Sequence, residues 1–286
     1  MPHNTHTPIS APQANMLNGS YKTAFEDQEF LSKDEMRGTR LMLEYEKPES
    51  VLRAMQIKST IVAFGSARIP SPEQSEALLL AAKTPEEKTY ADMRAKQVRW
   101  YDMAREFGKL ASLHGGALNG RIGEPLHNVI ATGGGPGLME AANRGAHDVG
   151  APSIGFNITL EHEEQPNPYS SPELTFLFKY FGIRKMHLAL RAKALAVFPG
   201  GLGTWDELFE ISNLLACGKM PPLPIVLFDR QYWQTVCNIP ALVEMGMISQ
   251  SALDLFSYAD SAQEGWESIR PAVLLDTPTL AAAGVK

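Results

Sequence analysis

The chain has 286 residues, of which 44% are hydrophobic and 20% are charged. Its 26 Lys and Arg residues are outnumbered by 32 Asp and Glu residues, and the formal net charge is −6. Such a composition is typical of a globular protein with a sizeable core, and it excludes a disordered or collagen-like chain. The acidic balance argues against a nucleic-acid partner.

The two cysteines, Cys217 and Cys237, are too few for a secreted domain stapled by disulfides. Residues 1–20 are rich in Pro, Asn, Thr and His, and they contain neither the basic segment nor the apolar run of a signal peptide. No apolar run reaches the roughly 18 residues of a membrane-spanning helix. We therefore expect a cytoplasmic protein that does not contact a membrane.

The first 58 residues differ in pattern from the rest of the chain. Residues 1–20 form a polar tail, and residues 21–58 are charged, with apolar residues at irregular helical spacing. We expect an N-terminal tail and helical appendage over residues 1–58 and a single folded domain over residues 59–286.

Five short apolar runs predict buried strands, and segments of helical composition separate them. The longest such segment, 72–114, has apolar residues at steps of three or four and predicts one long or two shorter helices. This alternation indicates an α/β fold: a doubly wound, Rossmann-like parallel sheet with helices on both faces. The predicted strands are residues 60–64, 129–132, 153–158, 194–198 and 224–228.

Two glycine-rich loops each follow a predicted strand and precede a predicted helix, the second of which is expected to begin at Trp205. The loops span residues 133–137 and 199–204. Backbone N–H groups and the helix dipole at such positions can hold a phosphate at the carboxyl edge of the sheet. The alternative is that the glycines only make tight turns. The first strand ends in another short loop, Gly65-Ser66-Ala67-Arg68.

Neither glycine loop matches a known nucleotide fingerprint. The first lacks the third glycine of G-x-G-x-x-G, and the triphosphate pattern G-x-x-x-x-G-K-[ST] does not occur. NAD and ATP are therefore disfavoured, and a smaller phosphorylated ligand such as a nucleoside monophosphate is favoured. His162 and His187 are isolated in the sequence, so no metal site is expected.

Four charged residues accompany the loops. Arg184 and Lys185 are suited to a phosphate, although most basic pairs lie on a solvated helix face. Asp206 and Glu207 follow the second loop, where carboxylates commonly serve as charges at a helix N-terminus. The functional alternative is that one of these carboxylates faces a sugar held by that loop.

Three segments together resemble the signature of the LOG (LONELY GUY) family, nucleoside 5'-monophosphate phosphoribohydrolases that were often labelled possible lysine decarboxylases. The segments are residues 133–146, Arg184-Lys185 and the element P-G-G-L-G-T-W-D-E over residues 199–207, which is the most specific. The resemblance extends from about residue 60 to residue 228. The N-terminal region and the segment 72–114 make the chain similar to the longer, type II subgroup, which implies a homo-oligomer, a dimer or larger.

The resemblance implies hydrolysis of the N-glycosidic bond of a nucleoside 5'-monophosphate, AMP or a cytokinin riboside 5'-monophosphate, to free base and ribose 5-phosphate without a cofactor. Arg184 and Glu207 match the catalytic pair, in which Arg184 would hold the phosphate and Glu207 would stabilise the oxocarbenium-like state or activate water. The further positions implied to contact the substrate are Ser66, Gly133, Gly134, Gly135, Gly137, Glu140, Glu163, Lys185, Gly200, Gly201, Gly203 and Thr204.

Two other functions are weighed against this one. A lysine decarboxylase would need a pyridoxal phosphate Schiff-base lysine in a supporting pocket, and the sequence around Lys185 and Lys193 offers no such context. A non-catalytic carrier of a nucleotide or of the molybdenum cofactor would use similar glycine loops, but it would not need Glu207 beside a sugar. Gly182-Ile183 and Asn213 depart from the plant-type pattern, which leaves the preferred base open.

Overall fold

The computed structural model describes residues 20–118, 124–160 and 165–275. Seven short strands in this part of the chain pair in parallel to form one sheet. The strands are β1 (Thr60–Phe64), β2 (Val129–Thr132), β3 (Ser153–Ile158), β4 (Thr175–Phe178), β5 (Ala192–Val197), β6 (Ile225–Phe228) and β7 (Phe256–Ala259).

Eleven α-helices lie in the described ranges, together with 3-10 turns at Asp34–Met36 and Pro172–Leu174. The helices are α1 (Gln28–Ser32), α2 (Arg37–Ala54), α3 (Pro72–Ala81), α4 (Pro85–His114), α5 (Leu138–His147), α6 (Phe181–Leu190), α7 (Leu202–Ala216), α8 (Arg230–Val236), α9 (Ile239–Glu244), α10 (Gln250–Leu253) and α11 (Ala262–Leu274). None of these described helices combines the length and the apolar character needed to cross a bilayer.

The strand order is β4-β3-β2-β1-β5-β6-β7, which confirms the predicted doubly wound fold. From β1 the chain adds strands outward to β4 on one side, and it then returns to place β5 on the other side of β1. Because right-handed crossovers in opposite directions lie on opposite faces, the loops after β1 and β5 diverge and leave a crevice between them. This switch point is where ligands bind in open α/β sheets.

The five predicted strands are confirmed within one or two residues, but two further strands were missed. Both are at the edges of the sheet: β4 reads TFLF with Leu177 exposed, and β7 reads FSYA and is mostly half-buried. A strand of four residues that is only partly covered has no long apolar run to mark it. The missed elements are therefore those whose burial is incomplete.

The segment 72–114 forms two helices rather than one. Ser71 and Thr84 each begin a helix with a capping box. The Ser or Thr side chain accepts a hydrogen bond from the third helical N–H, and the Gln or Glu side chain at that third position accepts one from the backbone N–H of the cap. The second helix, α4, packs closely along α5, where a Cβ on Gly145 would collide with the carbonyl oxygen of Arg105. This contact secures the helix that follows the first glycine loop.

The core between the sheet and α4 is aromatic. Phe198 and Phe228 stack with ring centroids 4.2 Å apart, and Phe107 of α4 packs edge-on against both rings. Helices α5 and α11 lie beside α4, whereas α6 contacts β3 and β4 and α7 contacts β1. In the N-terminal region α2 packs against α6. The division of the chain at residue 58 stays a prediction.

Candidate active site

A pocket of about 540 Å³ opens at the switch point, at the carboxyl ends of β1, β2 and β5. Its size lies within the range of about 300–1,000 Å³ that is usual for small-ligand sites. The pocket is lined by Phe64, Gly65, Ser66, Ala67, Arg68, Gly133, Met139, Arg184, Gly201, Leu202, Gly203, Thr204 and Glu207. Loops distant in sequence thus meet in one cavity.

A buried network of hydrogen bonds that includes Thr132, Asn143 and Asn167 holds the first glycine loop in place. Gly134 has φ +74°, a conformation that favours glycine, and its N–H donates to Thr132 Oγ1 at 2.9 Å. Asn167 Nδ2 donates to the carbonyl oxygens of Gly134 at 3.1 Å and Gly135 at 3.2 Å, and to Asn143 Oδ1 at 3.1 Å. These contacts fix the backbone of the loop before any ligand arrives.

The second glycine loop leads into α7, which begins at Leu202 and not at Trp205 as predicted. Gly203 and Thr204 therefore belong to the first helical turn. The N-cap Gly201 has no side-chain capping bond within the described residues, and the first residues of α7 border the pocket. The N–H groups and the positive dipole end of a 15-residue helix thus face the cavity. The Tyr232 hydroxyl donates to the Gly200 carbonyl at 2.6 Å and steadies the loop.

Arg184 and Glu207 meet at the floor of the pocket. Arg184 Nη1 lies 3.9 Å from Glu207 Oε1, and the two side chains are 13% and 9% exposed. Arg184 Nε donates to the Phe156 carbonyl at 2.7 Å, and Nη2 donates to the Gly133 carbonyl at 3.4 Å. The guanidinium therefore links β3, the first glycine loop and the carboxylate of α7.

Burial controls the ionisation of this pair. It raises the pKa of Glu207 from the ordinary 4.5 to about 7, against the opposing charges of Lys185 and Arg184 and with the help of Glu210 and Asp206. Burial also lowers the pKa of Arg184, which the nearby Glu207 carboxylate counteracts. A carboxyl group with a pKa near neutrality can accept and return a proton at physiological pH.

Lys185 lies beside the pocket and does not line it. Its Nζ is 2.7 Å from Asp206 Oδ2, 2.6 Å from Glu210 Oε2 and 3.9 Å from Glu207 Oε2. Burial opposes the charge of Lys185, but the hydrogen bonds to Asp206 and Glu210 outweigh it and raise the pKa of the ammonium group. Lys185 is thus a positively charged neighbour of Glu207 at neutral pH.

The predicted site residues do not all line the pocket. Seven of them line the pocket: Ser66, Gly133, Arg184, Gly201, Gly203, Thr204 and Glu207. The glycine loops also contain four predicted residues that do not line the pocket: Gly134, Gly135, Gly137 and Gly200. Glu140 points elsewhere, since it accepts a hydrogen bond from Tyr101 at 2.7 Å. Glu163 lies outside the described residues. The substrate contacts of all these positions stay predictions.

Sequence reasoning missed further residues of the site. Six of them line the pocket: Phe64, Gly65, Ala67, Arg68, Met139 and Leu202. Two others, Asn167 and Tyr232, support the glycine loops. Arg68 and Met139 each lie within three residues of a predicted glycine or serine contact, and their nearness to a strand end was a usable signal. Asn167 and Tyr232 act from positions 33 and 32 residues away from the loop carbonyls they hold. No local pattern could have identified them.

The fold and the pocket define a Rossmann-like α/β protein with a site suited to a small phosphorylated ligand. Residues 139–269 match the family model described as "Possible lysine decarboxylase". Among curated proteins the chain is similar to ones that carry LOG names, so the predicted resemblance to the LOG family is confirmed.

Two of these relatives illustrate the extent of the similarity. The "Probable cytokinin riboside 5'-monophosphate phosphoribohydrolase LOG4" of Oryza sativa subsp. japonica is 28% identical over 138 residues, 48% of this chain and 60% of that protein. The "Cytokinin riboside 5'-monophosphate phosphoribohydrolase LOG3" of Arabidopsis thaliana is 27% identical over 138 residues and is matched over 64% of its length. The alignments thus cover less than two thirds of these relatives.

Solved structures show a looser likeness. The X-ray structure of TM1055, a structural-genomics target, has a TM-score of 0.45 at 17% identity and covers 74% of this chain and 99% of that one. The molybdenum cofactor binding protein from the phototrophic bacterium Rippkaea orientalis has a TM-score of 0.41 at 18% identity, covering 74% of this chain and 96% of that one. Likenesses of this size carry no functional conclusion.

Proposed function

We propose that the protein hydrolyses the N-glycosidic bond of a nucleoside 5'-monophosphate, AMP or a cytokinin riboside 5'-monophosphate. Water adds to C1' of the ribose and passes a proton to Glu207, while the C1'–N bonding pair leaves with the base. The base takes up one proton from solvent, and Glu207 releases its proton to solvent, so that the carboxylate is restored. The products are free base and ribose 5-phosphate. The names of the relatives support this substrate class.

The observation that carries the proposal is the carboxylate of Glu207 at the floor of a pocket between two glycine loops. Cleavage of the C1'–N bond builds positive charge on the ribose, and a buried carboxylate beside C1' stabilises that charge more strongly than one in water. The pKa of about 7 lets the same group take the proton of the attacking water near neutral pH. A protein that only binds a nucleotide has no need of such a group.

The phosphate end of the substrate would lie between the start of α7 and Arg68. Arg68 is exposed and lines the pocket, and no described residue forms a hydrogen bond or ion pair with its guanidinium. Arg184, by contrast, already faces Glu207. We therefore assign the outer phosphate contact to Arg68, while Arg184 adds positive charge from the floor of the pocket.

A pyridoxal phosphate decarboxylase fits the residues poorly. Lys185 is the lysine of the catalytic motif, but its ammonium group is held in ion pairs with Asp206 and Glu210. A Schiff-base lysine must instead be free to attack a carbonyl inside the pocket. This arrangement favours the hydrolase over the activity in the family description.

The deciding experiment incubates the purified protein with AMP, GMP, CMP, UMP and N6-isopentenyl-AMP and follows base release by chromatography. Release that falls sharply in Glu207→Ala and Arg184→Ala supports the proposal and ranks the bases. A folded native chain that releases no base from any nucleotide would refute it. Tight binding of a nucleotide or a phosphorylated pterin without turnover would then identify a carrier.

Adenosine is expected to be a far poorer substrate than AMP, with kcat/KM lower by about a thousandfold, because two or three charge-assisted phosphate contacts are lost. Binding energy at the phosphate positions the sugar for attack, so its loss lowers the rate as well as the affinity. The measurement compares initial rates of adenine release from both compounds. Comparable turnover of adenosine and AMP would refute the assigned role of the phosphate subsite.

Replacing Arg68 by Ala is expected to raise KM for AMP by about 10- to 100-fold, the effect of losing one hydrogen-bonded charge pair. The already slow turnover of adenosine should not change, since adenosine lacks the phosphate. Arg37→Ala is the matched control, because Arg37 is exposed and its ion pair within the described residues is with nearby Asp34. An unchanged KM for AMP in the Arg68 variant would remove Arg68 from the site.

A further inference from the structure

The N-terminal helix α2 contacts the beginning of α6, the helix that carries Arg184. The Glu44 carboxylate accepts hydrogen bonds from the backbone N–H groups of Lys179 at 2.8 Å and Tyr180 at 3.1 Å. Tyr180 is the N-cap of α6 and makes no side-chain capping bond of its own within the described residues. Glu44 therefore places a negative charge at the positive end of α6 from a different helix.

A second contact of α2 lies at the other end of α6. Glu49 is buried and forms a bidentate ion pair with Arg191, the C-cap of α6. Arg191 Nη2 lies 3.0 Å from Glu49 Oε2. Arg191 also donates to the carbonyl of Ile57 at 3.1 Å. Between the two ends, the rings of Tyr45 and His187 stack at 5.4 Å. Helix α2 thus contacts α6 at both of its ends and at His187.

The position of α6 determines where the Arg184 guanidinium lies. His187, one turn after Arg184, packs against the ring of Phe156, whose carbonyl accepts from Arg184 Nε. The bond from Arg184 Nη2 to Gly133 is already long at 3.4 Å, so a small displacement of α6 would break it. The next residue, Lys185, lies 3.9 Å from Glu207 and would move with the helix.

We propose that α2 is a clamp that positions α6, and through α6 the Arg184 and Lys185 side chains, with Glu44 and Glu49 as positioning residues. The proposal rests on the proposed function in one respect, the choice of ribose 5-phosphate as the ligand whose binding shows whether Arg184 is correctly placed. It gives the N-terminal region a defined role: these residues complete the site without touching the substrate.

The test is a double-mutant cycle in the full chain between Glu44→Ala and Arg184→Ala, read by calorimetric binding of ribose 5-phosphate. Glu44→Ala is expected to weaken binding about tenfold in the native background, as a displacement near 1 Å can, and to have a clearly smaller effect when Arg184 is absent, because only Lys185 then responds. Glu44→Gln keeps an acceptor oxygen and should restore part of the affinity. Glu46→Ala is the matched control, because Glu46 is exposed on the same helix and pairs with Arg53.

Two results would overturn the clamp. The first is unchanged affinity for ribose 5-phosphate in Glu44→Ala. The second is an equal loss of affinity in the native and Arg184→Ala backgrounds, which would mean that Glu44 acts on stability alone. The failure of the proposed function looks different. In that case the native chain binds ribose 5-phosphate and shows the coupling but releases no base from any nucleotide. A native chain that releases base but does not bind ribose 5-phosphate would refute the clamp in this form and leave the proposed function standing.

Discussion

Replacing Glu207 by Gln is expected to lower kcat for AMP hydrolysis by about 10²- to 10⁴-fold, the usual contribution of a positioned acid–base group. Gln has the same size and can hydrogen-bond, but it can neither carry negative charge beside C1' nor take the proton of water. The measurement is base release at saturating AMP. Glu106→Gln, an exposed substitution on α4 where Glu106 pairs with Lys109, should match the native chain.

The pH dependence gives the same prediction a second readout. Because the hydrolysis needs ionised Glu207 with a pKa of about 7, kcat/KM should fall about tenfold per pH unit below that value and level off above it. This fall is the acid limb of the pH profile of kcat/KM, and the residual activity of Glu207→Gln should lack it. An identical limb in both proteins would show that another group is responsible.

The raised pKa also predicts a cost to stability. The folded pKa lies above the ordinary 4.5, so the folded protein retains a proton that the unfolded chain has lost, and stability falls as the pH rises from about 4.5 to 7. The full shift corresponds to about 3 kcal/mol at most. Above pH 7 the Gln variant should therefore resist urea better than the native chain, and near pH 4.5 the two should be equal. An advantage independent of pH would contradict this account.

Replacing Arg184 by Ala is expected to lower kcat/KM for AMP about a hundredfold, the effect of losing one or two charge-assisted contacts. It should also move the acid limb to higher pH, because a positive charge 3.9 Å from Glu207 disappears and the pKa of that carboxyl rises further. The measurement is kcat/KM for AMP across the pH range, with urea unfolding to verify the fold.

Arg184→Lys separates charge from geometry. It keeps a positive charge near Glu207, so the acid limb should stay near its native position. The rate should remain reduced, because an ammonium group cannot span the carbonyl oxygens of Phe156 and Gly133 as the guanidinium does. An acid limb that does not move in Arg184→Ala would mean that the two side chains do not interact in the working protein.

The central strands could be predicted because each is a buried apolar run, as in β1 and β2, which are buried throughout and lead directly into glycine turns. The edge strands β4 and β7 could not, because their neighbours on one side are missing and their exposed positions weaken the pattern. The start of α7 was predicted three residues too late because a glycine, Gly203, lies in its first turn. Glycines are poor helix formers in the interior, but at the first turn they are tolerated.

The sequence by itself determined the fold class and the positions of the two glycine loops, because these depend on local periodicity and on compact motifs. The resemblance to the LOG family added Arg184 and Glu207 as a predicted catalytic pair. Only the tertiary structure decided which of these side chains face the pocket, and that Arg68 at its rim has a guanidinium without a partner among the described residues. It also showed that Glu44 holds the start of α6 across 135 residues of chain. The physical reason is that burial, pKa and ion pairing depend on neighbours that folding alone assembles.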